Sequence, residues 1–232
     1  PPTIDHTDID KNPKIVQNRT MVLNCPAAGN PAPEIKWLRN GEPIKANKWP
    51  NIQLFTGGRQ LRINNAQVSD TASYRCVVLN KAGQDSLDFD LEVHVPVTIS
   101  KDQLILDPKV VANRSQLLDC PAEGVPPPQI SWYKDGEKLT TFDPNHMRVL
   151  QDGRQLELLA AKVSDAGHYE CRATNEAGND NVVYDLEVYV PPSIIDETSS
   201  SGNPQVIVNR TITINCFVTG IPKPQVKWLY HS

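Results

Sequence analysis

No apolar run in the 232 residues approaches the roughly 18 that a membrane-spanning helix needs. Nor does any stretch carry apolar residues as a helical stripe, so direct membrane insertion and a helical architecture are both set aside. An excess of positive charge is missing too: 23 Lys and Arg stand against 27 Asp and Glu, with no basic stripe. That balance argues against a nucleic-acid partner. The histidines, His6, His94, His146, His168 and His231, are scattered with no metal-ligand spacing among them. No Gly-rich phosphate loop occurs, and no set of reactive side chains converges in the sequence. The expectation is therefore no enzyme, no cofactor, no metal and no small-molecule substrate. The chain opens without an initiator Met or a signal peptide. Its first residues, Pro1-Pro2-Thr3-Ile4, resemble its own Pro191-Pro192-Ser193-Ile194, so it reads as an interior slice of a longer polypeptide.

What is present is a repeat. Cys25 returns as Cys120 and Cys216, spacings of 95 and 96 residues (120−25 and 216−120). Trp37, Trp132 and Trp228 each follow their Cys by twelve, and Cys76 and Cys171 each lie 51 residues beyond the first Cys of their repeat. A period this long is that of whole domains rather than solenoid units. The expected boundaries are residues 1–95, 96–190 and 191–232, the third repeat being incomplete. At Val95-Pro96 and Val190-Pro191-Pro192 one repeat passes into the next with no flexible linker.

Within each repeat the apolar residues alternate. Met21, Leu23 and Cys25 should face inward, as should Leu61 with Ile63, Leu156 with Leu158, and the run Leu87, Phe89, Leu91, Val93, Val95. Asn40-Gly41 and Asp135-Gly136 are hairpin turns, because both central residues of a type I′ turn need positive φ. Asn12-Pro13, Asp107-Pro108 and Asn203-Pro204 sit where an edge strand changes sheet, and proline suits an edge because it offers no ladder donor. Asp5, Asp8 and Asp10 form an acidic group without the glycine and bidentate Glu of an EF-hand loop, and read as a solvated turn.

The Gly-x-Pro-x-Pro loops, the Asn-x-Ala-Gly hairpins and the Asp-x-x-x-Tyr-x-Cys segments ending at Cys76 and Cys171 resemble I-set immunoglobulin domains from end to end. The resemblance implies an all-β fold, tandem sandwiches, two complete and one truncated. It pairs Cys25 with Cys76 and Cys120 with Cys171 as disulfides. It places Trp37 and Trp132 beside the sulfurs. Trp228, at the equivalent position of the truncated repeat, should stand uncovered with Ile212 and Ile214. Tyr74 and Tyr169 are placed at a corner where the hydroxyl bonds upstream backbone. Asp165 should lie in the turn before that strand and accept a hydrogen bond or ion pair. Cys216 has no partner in the residues present and should be a free thiol.

The words Ala66-Gln67-Val68-Ser69-Asp70, Ala161-Lys162-Val163-Ser164-Asp165 and the Val-Pro-Pro junction are similar to the hemicentin repeat arrays. That likeness implies a secreted matrix protein, working through other proteins of the matrix or cell surface, itself included. The ectodomain of a cell-surface receptor is the alternative, and an intracellular titin-like array a third reading. Asn18-Arg19-Thr20, Asn113-Arg114-Ser115 and Asn209-Arg210-Thr211 are N-glycosylation acceptors, each Asn seven residues before its Cys. Asn also forms turns well without sugar, and an acceptor needs an exposed turn, so the two readings are compatible.

Overall fold

The computed structural model describes residues 1–196, 199, 202 and 204–229; Asn203 and His231 lie outside them. Through the first repeat run β1 (Thr3–Ile4), β2 (Lys14–Val16), β3 (Met21–Asn24), β4 (Ala27–Ala28), β5 (Glu34–Arg39), β6 (Glu42–Pro43), β7 (Ile52–Phe55), β8 (Gln60–Ile63), β9 (Ala72–Asn80) and β10 (Gly83–Ile99). There follow β11 (Lys109–Val111), β12 (Gln116–Asp119), β13 (Ala122–Val125), β14 (Gln129–Lys134), β15 (Glu137–Lys138), β16 (Met147–Leu150), β17 (Gln155–Leu158), β18 (Gly167–Asn175), β19 (Gly178–Ile194) and β20 (Val218–Ile221). The chain divides into two compact units. One holds Pro1–Thr98 with Ala122–Gln129 and Thr174–Asp180; the other holds Ile99–Pro121, Ile130–Ala173 and Asn181–Ser232.

In the first unit β3, β8 and β7 form one sheet, while β6, β5, β9 and β10 form the facing one, extended by β13. Register follows the alternation. Leu23 lies opposite Leu61 and Met21 opposite Ile63, which turns both pairs to one face. Leu23, Leu61, Ile63, Leu87, Phe89 and Leu91 are buried. The switch at proline is present: β1 pairs antiparallel with β4, and beyond the buried Pro13, β2 pairs parallel with β10. The second unit repeats the plan, with β12, β17 and β16 facing β15, β14, β18 and β19. There β11 pairs parallel with β19 after the buried Pro108. Gln116, at the apolar position of this unit's first core strand, is half-buried and turns its amide to the Leu117 carbonyl at 2.9 Å.

The hairpins have the expected backbone, with Asn40 and Gly41 at φ 48° and 83°, and Asp135 and Gly136 at 51° and 87°. Asn40 and Asp135 each accept from a backbone N–H of the neighbouring strand, Ser73 and His168, at 3.0 and 2.9 Å. This explains one difference between the repeats. Gly167 has φ 146°, and a Cβ there would sit 2.7 Å from an Asp135 carboxylate oxygen. Ala72, its counterpart, has no positive φ, so its methyl is accommodated.

Alternation fails at one place in β10. His94, not Val95, is the buried residue after Val93, at 5% exposure. Its Nε2 lies 3.1 Å from Glu92, and inside the same unit its Nδ1 is 3.9 Å from Glu176, which Lys14 Nζ reaches at 2.7 Å. A period of two cannot foresee this, because it assumes that only one face of the strand is covered.

Residues 204–229 behave differently. They contribute β20, antiparallel to β19, and no other strand among the described residues. Ile212, Ile214 and Trp228 stand 40%, 44% and 61% exposed, and Cys216 is a free thiol. That is the uncovered face an incomplete third repeat leaves, with no facing strands among the described residues to pack against Ile212, Ile214 and Trp228. So short a segment buries too little apolar surface to offset its chain entropy. Backbone amides of Ile212–Cys216 are expected to exchange near the unprotected rate, while those of Leu118–Cys120 are slow. Comparable protection in a hydrogen-exchange experiment would show that the segment folds.

Candidate functional site

The centre of each unit is a cysteine pair. Cys25 is bonded to Cys76 and Cys120 to Cys171, with Cα atoms 6.3 and 6.2 Å apart. The indole of Trp37 is buried on β5 directly across from Cys76 and stacks on Phe89 at 5.8 Å. Trp132 stacks on Tyr184 at 6.3 Å. Both indoles find an acceptor, the carbonyls of Gly58 and Gly153, each at 2.7 Å, which removes the cost of burying an N–H. Trp228 is exposed and, among the described residues, has no acceptor of this kind.

Beside the pair lies the tyrosine corner. Tyr74 OH donates to the Asp70 carbonyl at 3.0 Å, and Tyr169 OH to that of Asp165 at 2.9 Å. Both aspartates end a 3-10 turn and cap it. Asp70 accepts from Gln67 N and Asn51 Nδ2, each at 2.9 Å; Asp165 accepts from Lys162 N at 2.6 Å and faces His146 Nε2 at 3.0 Å. Asp165 thus occupies the turn and the role expected of it, while the part of His146 was not foreseen.

Burial pushes the Tyr74 hydroxyl up to about 12, and burial likewise raises that of Tyr169. An unfolded tyrosine loses its proton near 10. A raised folded value means stability is intact below pH 10 and falls as pH climbs toward 12, because the unfolded chain then sheds protons first. Urea midpoints should hold to about pH 9.5 and then drop, and Y74F with Y169F should reduce the drop. The remainder belongs to Tyr184, whose hydroxyl burial also pushes up to about 12. A flat profile in the parent chain would contradict the assignment.

The three acceptor asparagines occupy one backbone conformation: φ is 67° at Asn18, 67° at Asn113 and 62° at Asn209, and all three are exposed. Asn18 N and Asn113 N donate to the carbonyls of Ala66 and Ala161, both at 2.8 Å. Asn tolerates this left-handed region better than most residues, which accounts for its presence whether or not sugar follows. In the acidic group, Asp5 and Asp10 accept from Thr7 N at 2.9 Å and Asn12 N at 3.0 Å, as turn formers do. Among the described residues no group of three His, Cys, Asp or Glu could hold a metal ion, and no helix is long and apolar enough to cross a membrane.

Two sandwiches, each with a cysteine pair, a buried indole and a tyrosine corner, fit one family model, the immunoglobulin I-set domain, at residues 6–93 and 102–188. The chain belongs to the immunoglobulin I-set family. It is 44% identical to human hemicentin-1 over 230 residues, 98% of this chain but only 4% of that protein. It is 27% identical to bovine neural cell adhesion molecule 1 over 209 residues, covering 89% of this chain and 24% of the relative. The solved extracellular domains 3–5 of Drosophila OTK superpose with a TM-score of 0.64 over 80% of this chain and 62% of theirs, at 24% identity, a likeness of fold. The I-set array is thus hemicentin-like in sequence along nearly its whole length, while spanning a small fraction of the relatives it matches.

Proposed function

We infer that this I-set segment is a structural and adhesive module of a secreted, hemicentin-like matrix protein, outside the cell, engaging other proteins of the matrix or cell surface, copies of itself included, and catalysing nothing. The observation that carries this reading is the match to hemicentin-1 through 98% of the chain, across both sandwiches. Cysteine pairs in both cores agree with an oxidising compartment, since cytosolic thiols stay reduced. Repeats bounded at 1–95, 96–190 and 191–232 would then be links of a longer array. Asn18, Asn113 and Asn209 would be glycan acceptors of that secreted chain. The ectodomain of a cell-surface adhesion receptor is the second reading, favoured by the similarity to neural cell adhesion molecule 1.

The test is retention. The chain, secreted from animal cells behind a supplied signal peptide and coupled to beads, should bind decellularised matrix, or aggregate bead to bead, above a control sandwich of similar charge. Beads that do neither, but bind intact cells stripped of matrix, would favour the receptor reading.

A further inference from the structure

Beside the first acceptor asparagine lies a hollow of about 310 Å³, walled by Arg39, Trp49, Asn51, Asn64, Asn65 and Gln67. Its size is at the small end of ligand sites, roughly 300–1,000 Å³. Its two cations each have an anionic or carbonyl partner, though Arg39 Nε is buried without a hydrogen-bond partner among the described residues. Arg39 Nη2 donates to the Ser69 carbonyl and lies 3.9 Å from Asp70, and Lys48, on the rim, pairs with Glu42. Both cations are thus engaged within the protein, Arg39 by Asp70 and Lys48 by Glu42 outside the lining. The hollow offers one edge of a half-buried indole and a ring of side-chain amides. Those of Asn64 and Asn65 make no hydrogen bond with the described residues. Arg39 and Lys48 lie over the Trp49 ring, 5.4 and 4.7 Å from its centroid, so what remains open is the ring edge. That edge among unpaired amide donors and acceptors suits a neutral pyranose carrying hydroxyl and acetamido groups, whose C–H groups pack on the edge while its polar rim meets the amides.

The hollow is joined to the acceptor by a single side chain. Gln67 Nε2 donates to Asn18 Oδ1 at 3.0 Å and to the Asn65 carbonyl at 2.8 Å, while its Oε1 accepts from Gln17 at 2.9 Å. Asn18 Nδ2, the atom that would carry sugar, makes no hydrogen bond with the described residues, so attachment there keeps the Gln67 contact. The second repeat has the same acceptor turn but not this neighbour. Ninety-five residues on, Trp49, Asn64, Asn65 and Gln67 become Pro144, Leu159, Ala160 and Lys162.

We propose that the hollow seats the innermost N-acetylglucosamine residues of a glycan on Asn18, folding that glycan onto the first sandwich, whereas a glycan on Asn113 stands free. This rests on Asn18 being a glycan acceptor, as inferred above. In that linkage Nδ2 loses a proton and takes C1 of an oligosaccharide from its lipid diphosphate carrier, which departs with the glycosidic oxygen. Tethering supplies the affinity that a lone sugar lacks: a group on a short flexible link is present at millimolar effective concentration or above, enough to populate a weak contact.

The experiment uses the chain secreted from cells that make high-mannose glycans, treated while folded with an endoglycosidase that cuts between the two innermost sugars. Site-resolved mass spectrometry follows Asn18, with Asn113 as reference. Release from Asn18 should accelerate about tenfold in W49A and about threefold in N64A, while release from Asn113 is unchanged. N64A keeps the backbone bond from Asn64 N to the Asn51 carbonyl, so it answers even where W49A folds poorly. Equal Asn18 rates in parent and N64A, with Asn18 occupied, would overturn the seat. Asn18 recovered without sugar would instead overturn the acceptor reading, and the seat with it.

Discussion

Replacing Cys120 and Cys171 together by alanine should cost the second sandwich about 4 kcal/mol. The bond closes a span of 51 residues, and in the chain-entropy account the penalty removed from the unfolded state grows with the logarithm of that span. Domains of this size are stable by roughly 5–15 kcal/mol, so the doubly substituted sandwich should sit near the edge of folding at body temperature. C25A with C76A should do the same to the first unit, whose span is also 51 residues. C216A should change neither, because Cys216 has no disulfide partner. Urea titration followed by the fluorescence of the buried indoles reads the effect. A loss below about 1 kcal/mol would mean that apolar packing alone holds the sheets together.

Truncating Trp132 to alanine should cost about 3–5 kcal/mol, the range for removing a large aromatic from a packed core. The indole is 2% exposed, stacks on Tyr184 and donates to the Gly153 carbonyl, which would be left without that donor. Trp228 is the internal control. It holds the same place twelve residues after its cysteine, yet it is 61% exposed, so W228A should fall within about 0.5 kcal/mol of the parent. Equal losses at the two positions in a thermal or urea unfolding series would mean that the third segment has a core of its own.

That pair of tryptophans shows what could be read in advance. The 95-residue spacing, the alternation at Leu61, Ile63, Leu156 and Leu158, and the Asn-Gly and Asp-Gly turns are local or periodic signals. A sandwich with one covered face per sheet leaves them intact, and so the fold was legible. The spacing marked Trp228 as equivalent to Trp132, and the missing remainder of its repeat marked it as uncovered, since equivalence in sequence does not supply the strands that must cover an indole. His94 was hidden: both faces of its strand are covered near the end of β10, and a pattern of one inward face cannot register that. Arg39 was not singled out either. It lies over the rings of Trp49 and Tyr74, 5.4 and 6.0 Å from their centroids, in a grouping assembled from three separated segments. No spacing rule joins residues 39, 49 and 64 to 67. The acceptor motifs were visible, but the left-handed backbone beneath them was not. Only that backbone shows that Asn18 and Asn113 have a conformational reason to be asparagine.

Peptide mapping of secreted, unreduced protein tests most directly the two oxidised I-set sandwiches and the extracellular role proposed for them. Free thiols are first capped with iodoacetamide under denaturing conditions, and the chain is then digested without reductant. The account predicts peptides linking Cys25 to Cys76 and Cys120 to Cys171, with the cap found on Cys216. Recovery of Cys25, Cys76, Cys120 and Cys171 as capped thiols from secreted material would contradict both the cross-linked cores and the extracellular reading.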